Sequence, residues 1–147
     1  MVRILLVLIL SVQISSPIDA GGRDDLRLLT GARSKNIRLV EMALAVGANI
    51  EARDEIGCTS LMWTAFHGAS DLAAYLIAQG ADIDARDGRD RTGLMWAALA
   101  GRGEVVRILL RGGGNVQLVD DTGKDAADYA IEENHQRLAD ELCRISE

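Results

Sequence analysis

Short apolar stretches with helical spacing recur along the chain and predict a series of short amphipathic helices. Each stretch places apolar residues three and four positions apart, as on one face of an α-helix. The stretches are Leu39 and Met42, with Leu44 closing the same run; Leu72, Tyr75, Leu76 and Ile77; and Val105, Ile108 and Leu109. Residues that accept a left-handed conformation after a helix mark the predicted ends; they are Gly47, Gly68, Gly80, Gly101, Gly113 and Asn134. Helices this short cannot bury an apolar face alone, so they must pack on their neighbours.

The first twenty residues follow a different pattern. A positive start at Met1-Val2-Arg3 precedes an unbroken aliphatic run from Ile4 to Leu10, and small polar residues and Pro17 follow. This order is typical of a secretory signal peptide, and the run is shorter than the ~20 residues of a membrane span. We predict a signal peptide over 1–20, cleavage after Ser16 or Ala20, and a periplasmic or secreted protein without a stable membrane anchor. The alternatives are a buried first helix and a cytosolic protein.

An internal repeat of 33 residues organises the rest of the chain. Residues 54–65, DEIGCTSLMWTA, align with residues 87–98, DGRDRTGLMWAA, at that offset. The same offset carries Asp87 onto Asp120, and it carries residues 47–50 onto residues 80–83. A fixed period of this length predicts a solenoid whose stability is distributed over neighbouring units. Four units cover the chain after the leader, with boundaries near 21–53, 54–86, 87–119 and 120–147.

The repeated segment resembles the ankyrin repeat, whose pattern is Asp-x-x-Gly-x-Thr-Pro-Leu-His-x-Ala-Ala-x-x-Gly, then a helix rich in Val and Leu, then Gly-Ala-Asp-Val-Asn-Ala. The resemblance covers the domain 21–147 and implies an all-α solenoid of helix-turn-helix units with β-hairpin-like turns. It departs at the helix starts, where Thr-Pro-Leu-His is replaced by TSLM at 59–62, TGLM at 92–95 and DAAD at 125–128. Because proline presets φ at the first helical position, its loss predicts units about 1 kcal/mol less stable than consensus units.

Charge narrows the range of partners. Sixteen basic and 22 acidic residues give a net charge of −6, which disfavours a nucleic-acid partner because such binders carry a basic surface. Residues 120–147 hold nine acidic and three basic residues, so the excess lies in the last unit. A solvated polar cap is the simpler interpretation, and a cation site is the alternative. Glu141 supports a cap, since it replaces the apolar residue of the earlier units.

Trp63 and Trp96 occupy the same position in consecutive units, and Tyr129 follows in the next. A packed ladder along the first helices is the main interpretation, and ligand stacking is the alternative.

Few residues are suited to catalysis. The chain has two histidines and two cysteines, with no metal-ligand or catalytic-triad spacing, so we predict no enzyme activity, no cofactor and no metal. His135 falls at the Gly-His position of the resembled repeat, where histidine is structural. A second hypothesis is a redox- or metal-linked auxiliary protein that acts through Cys58, expected to be accessible in a turn, and His67, expected to be exposed.

An internal disulfide between Cys58 and Cys143 is not expected. The two residues lie two repeats apart, which predicts a separation near ~20 Å from helix packing distances of about 8–10 Å. A disulfide needs Cα atoms within about 7 Å. Cys143 is predicted at a core position of the last helix.

The resemblance also implies a concave face, formed by the turn tips and the first helix of each unit, that binds a protein partner. On this sequence the face combines aromatic, aliphatic and arginine side chains, which is typical of interface anchors. The residues are Arg53, Ile56, Phe66, His67, Arg86, Arg89, Arg91 and Leu99. The alternative is that Phe66 and Leu99 are sheltered between units. We expect a module that is monomeric when free and inhibits, protects or scaffolds a cell-envelope protein.

Overall fold

The computed structural model describes residues 17–146, which form four pairs of α-helices. The helices are α1 (Pro17–Arg33), α2 (Ile37–Ala45), α3 (Ser60–His67), α4 (Ser70–Ala78), α5 (Gly93–Leu99), α6 (Gly103–Arg111), α7 (Ala126–Glu132) and α8 (Gln136–Ser146). Residues 1–16, which hold most of the predicted signal peptide, lie outside the described residues. Helix α1 begins at Pro17, so it crosses the predicted cleavage position after Ala20. The signal peptide therefore stays a prediction.

The first helices of the units stack on one another and form the centre of the domain. Helices α1, α3, α5 and α7 pack in chain order, and each packs on the second helix of its own unit. One core runs through all four units, because a buried apolar residue recurs at the same position of each second helix: Ala43, Leu76, Leu109 and Leu142. The predicted all-α repeat fold is confirmed. Among the described residues, none of the helices combines the length and apolarity that crossing a bilayer requires.

The prediction for α2 was wrong by one position of the helical face. Met42 was expected in the core but is 66% exposed, and Val40 and Ala43 are buried instead. The reason is a close approach to α1, where Gly31 has no side chain. A Cβ at Gly31 would come within 2.8 Å of Val40 Cγ2, so Val40, and not Met42, packs directly against α1 at this point.

Each of the last three units opens with a turn built on an aspartate. The backbone N–H of Asp54, Asp87 or Asp120 donates to the carbonyl four residues later, at 2.9–3.1 Å. Neighbouring turns are joined by one backbone hydrogen bond each, from Gly88 N–H to the Ile56 carbonyl and from Asp121 N–H to the Arg89 carbonyl, both 3.1 Å. Residues 17–146 contain no β-strand, so the predicted hairpin-like connections are hydrogen-bonded turns.

The first unit lacks this turn, which corrects the prediction of a turn in every unit. Residues 21–25 belong to α1. The 33-residue offset places Gly21, Asp24 and Leu26 where later units have aspartate, a turn residue with positive φ and an N-cap. Without a carboxylate to accept the turn's N–H groups and without a capping side chain, nothing interrupts the helix.

The helix starts keep their capping side chains despite the missing proline. Thr59 Oγ1 accepts from Met62 N–H and Thr92 Oγ1 from Met95 N–H, both at 3.4 Å. In the last unit the Asp125 carboxylate accepts from Asp128 N–H at 2.9 Å. A carboxylate is a strong cap because it also faces the positive end of the helix dipole.

Candidate protein-binding face

The concave face is organised by two stacked tryptophans. The rings of Trp63 on α3 and Trp96 on α5 lie 6.2 Å apart between centroids, with planes inclined by 29°. Each indole Nε1–H donates to the aspartate nine residues earlier, Asp54 at 2.7 Å and Asp87 at 3.1 Å. The Tyr129 hydroxyl donates to Asp120 in the same way at 2.6 Å. The predicted ladder is thus confirmed for the tryptophans, and each aromatic ring ties its turn to its first helix.

Arginines complete this arrangement. The Arg33 guanidinium lies 4.6 Å from the Trp63 ring centroid and pairs with Asp54 at 2.5 Å. Arg91 lies 4.0 Å from the Trp96 ring centroid, and its Nε pairs with the Asp87 carboxylate at 2.9 Å. Cation–π contact and ion pairing together hold both guanidinium groups against the rings.

Hydrogen bonding keeps the carboxylates of Asp54 and Asp120 ionised. Burial by itself raises the pKa of Asp120, but donors from Tyr129, Thr122 and Lys124 outweigh burial and hold that pKa well below its ordinary value. The same balance lowers the pKa of Asp54. Burial, followed by the hydrogen bond to Asp120, raises the pKa of Tyr129 to about 12. At neutral pH Tyr129 is therefore protonated and Asp120 ionised, so the hydroxyl donates to the carboxylate and neither group titrates.

Phe66 and His67 extend the tryptophan pair toward solvent. Phe66 meets Trp96 edge-on at 5.6 Å and Trp63 edge-on at 6.3 Å, whereas His67 stacks on Trp63 at 6.0 Å. Phe66, His67 and Leu99 are each half-buried. Phe66 is therefore packed between two units and still reaches the surface. Trp63, Phe66, His67 and Trp96 together form what we call the aromatic cluster.

Basic side chains surround His67, and two of them, Lys35 and Arg102, were not predicted from the sequence. Burial, then the charges of Lys35, Arg102 and Arg33, lower the pKa of His67, so its ring is neutral at neutral pH. Arg102 Nε also donates to the Phe66 carbonyl at 3.1 Å. The repeat could have indicated Arg102, because it lies 33 residues before His135 and so occupies the equivalent position. His135 makes the equivalent contact in the last unit, where its Nε2 is 3.2 Å from the Leu99 carbonyl.

Most of the predicted binding arginines also hold the units together. Arg53 donates to the carbonyls of Gly57 and Arg86, and Arg86 donates to the Val119 carbonyl at 3.3 Å. Arg91 pairs with Asp87. Arg89 differs, because its only ion pair among the described residues is a 3.8 Å contact with Asp121, with both side chains largely exposed. Of these arginines, Arg89 is the one most available to a partner.

Ile56 lies at the tip of the turn at residues 54–58, in the second unit, and is 50% exposed. It borders an open groove of about 830 Å³ between α1 and this turn. The lining residues are Gly22, Asp25, Leu26, Leu29, Arg33, Arg53, Asp54, Glu55, Ile56 and Trp63. Leu26, on the opposite wall from Ile56, is 62% exposed. The face therefore offers apolar surface at this end as well as at the aromatic cluster.

The two cysteines are placed opposite to the prediction. Cys58 is 1% exposed, packed against Met62 and Ala85, and its thiol donates to Asp87 at 3.8 Å. Burial and the negative charges of Asp87 and Asp54 raise the pKa of this thiol to about 12. Cys143 is exposed, because Leu142 takes the core position of α8. A buried thiol that stays protonated is a poor nucleophile, so the structure does not support redox chemistry at Cys58.

This placement makes a prediction for thiol labelling. Treated with a maleimide at neutral pH, the folded protein should react rapidly at one thiol, Cys143, and react at Cys58 only after urea is added. The Cys143→Ser variant should lose the rapid phase, and Cys58→Ser should keep it. Rapid labelling of folded Cys143→Ser would show that Cys58 is accessible after all.

The described residues hold no group of three or more histidines, cysteines or acids that could share a metal ion. What they present is a stack of helix pairs with one continuous face of turns and first helices, which defines the class of repeat solenoids. The family model described as "Ankyrin repeats (3 copies)" matches residues 26–120 and again residues 61–146, so the chain belongs to the ankyrin repeat family. Such repeats are generally protein–protein interaction modules and are typically not enzymes. No protein of curated function gives a significant match to the chain.

Proposed function

We propose that this protein is a non-enzymatic module that binds a protein partner through its concave face, centred on the aromatic cluster and Arg89. The observation that carries the proposal is Phe66, which packs edge-on against both tryptophans and yet reaches the surface on the face that ankyrin repeats use. Exported to the periplasm or secreted, the module would inhibit, protect or scaffold a protein of the cell envelope.

The energetics of binding favour this surface. A side chain already held by its neighbours loses little conformational entropy when a partner covers it. Phe66 and His67 are held in this way by Trp63 and Trp96. Ile56 adds exposed apolar area, and Arg89 adds a guanidinium with only a weak ion pair. Aromatic and arginine side chains of this kind dominate the binding energy of protein interfaces.

Affinity capture from envelope and cytosolic extracts tests the proposal. The double variant Phe66→Ala/Arg89→Ala should bind the partner at least about tenfold more weakly than the natural protein, because it removes the two expected anchors. Titration of the identified partner measures the loss, and circular dichroism checks that the variant is folded.

A matched control removes one apolar side chain and one arginine from the other side of the units. Val46→Ala/Arg111→Ala changes exposed residues at the ends of the second helices α2 and α6 and should leave capture unchanged. Equal capture by both double variants would contradict binding at the concave face. A partner found only in the cytosolic extract would contradict export.

A further inference from the structure

The last unit leaves uncovered a position that every other unit buries. Ala32, Ala65 and Ala98 are equivalent by the 33-residue offset, and each is 0% exposed. Ala32 belongs to the first unit, so the unit that follows must be what covers this position. The equivalent residue of the last unit is Ile131, which is 51% exposed. The end of the array thus presents a large apolar side chain where a further unit would pack.

The first unit shows the opposite face of the same contact. Leu72, Val105 and Leu138 are buried at one equivalent position. Leu138 lies in the last unit, so this position packs against the preceding unit. Its counterpart in the first unit is Leu39, which is only half-buried. Leu39 borders a shallow hollow of about 270 Å³ with the exposed Leu26 and with Arg23, Arg27 and Thr30.

The turn-to-turn hydrogen bonds are also open at both ends. Gly88 and Asp121 donate to the carbonyls of the preceding turn. In the turn at residues 54–58 the equivalent donor is Glu55 N–H. In the turn at residues 120–124 the equivalent acceptor is the Thr122 carbonyl. Neither forms a hydrogen bond among residues 17–146. The groove beside Glu55 lies where α1 replaces the missing turn of the first unit.

The two ends carry opposite local charge. Residues 17–46, which cover α1 and α2, contain five basic and four acidic residues, whereas residues 120–147 contain nine acidic and three basic residues. The two ends of the array are therefore complementary in three respects. Each has an uncovered apolar side chain, one has a backbone donor and the other a backbone acceptor without a partner among residues 17–146, and their local charges are opposite.

We infer that copies of this chain bind one another head to tail. The last unit of one copy, through Ile131 and the turn at Thr122, packs on the first unit of the next copy, at Leu26, Leu39 and Glu55. This contact continues the stacking between units within the chain. It joins two different surfaces and does not close on itself, so it builds open chains of copies. The monomer predicted from the sequence is then the dilute form, and the aromatic cluster and Arg89 stay free for a partner.

Sedimentation velocity over a range of protein concentrations tests the association. The natural protein should show an average mass that rises with concentration and passes that of a dimer. Leu26→Glu blocks the first end and Ile131→Gln blocks the last end, and both side chains are more than half exposed, so the variants should fold. Each variant alone should stay monomeric at every concentration.

Mixing the two variants is the decisive step. An equal mixture should form one-to-one heterodimers and nothing larger, because each variant keeps one intact end. Ala74→Glu, which adds a charge at an exposed position of α4 in the second unit, should assemble like the natural protein. A natural protein that stays monomeric, or a mixture that forms no heterodimer, would overturn the inference. Either outcome leaves partner capture at the aromatic cluster and Arg89 unaffected.

Discussion

Replacing Asp87 by asparagine is expected to lower the free energy of unfolding by about 3 kcal/mol. One carboxylate oxygen of Asp87 accepts from the N–H groups of Arg89 and Arg91 at 2.9 and 3.0 Å. The other accepts from Arg91 Nε, Trp96 Nε1 and the Cys58 thiol. Only donors face the side chain, so the amide nitrogen of asparagine meets a donor in either orientation.

Asp90→Asn is the matched control for this substitution. It removes the same charge from the same turn, but Asp90 is exposed and its φ of +59° is a conformation that asparagine accepts. Urea unfolding followed by tryptophan fluorescence measures both variants. We expect a change within about 0.5 kcal/mol for Asp90→Asn. Similar small losses for both would mean that Asp87 does not hold the turn, the Trp96 ring and Cys58 together.

Gly57→Ala is expected to cost about 2–3 kcal/mol of unfolding free energy, for two reasons that add. Gly57 has a φ of +82°, which strains any residue with a Cβ. An added Cβ would also lie 2.7 Å from the backbone nitrogen of Gly88 in the next turn. Backbone cannot move aside as a flexible side chain does, so the two turns would have to separate and weaken the bond from Gly88 to the Ile56 carbonyl.

Gly123→Ala separates the two contributions. Gly123 holds the same position in the last turn with a φ of +85°, but no atom lies within 4 Å of an added Cβ. Its replacement should cost only the conformational strain, about 1 kcal/mol, in the same urea experiment. The difference between the two variants measures how tightly adjacent turns pack. Equal costs would show that contact between turns contributes nothing at Gly57.

Residues that repeat at the 33-residue offset were the ones that the sequence could place. Equivalence between units predicts the helix ends with positive φ at Gly68 and Asn134. It also predicts the stacked tryptophans and the structural role of His135. Every repeat supplies the same neighbours, so a pattern in one unit predicts a contact in the next. The sequence could not place features that depend on a unit being the first one, such as the turn that α1 replaces, or on rotation about a helix, as at Met42 and Cys143.

The candidate site shows the same division. The sequence pattern indicated Phe66, His67 and Arg89. It did not indicate Arg102 or Lys35, because their charges reach His67 from other units. It treated Arg53 and Arg86 as free for a partner, although both donate to carbonyls of the next unit. Which polar groups remain available depends on distances between segments that lie far apart in sequence.

The sequence by itself determined the repeat, the helix pairs, the family and the face on which a partner is expected, because a 33-residue period and its capping residues are local and recur. Only the tertiary structure decided that Cys58 is buried, that α1 takes the place of a turn in the first unit, and that Ile131 is exposed at the end of the array. These features depend on which unit lies next to a residue and how closely it packs, and a position within the repeat does not contain that information.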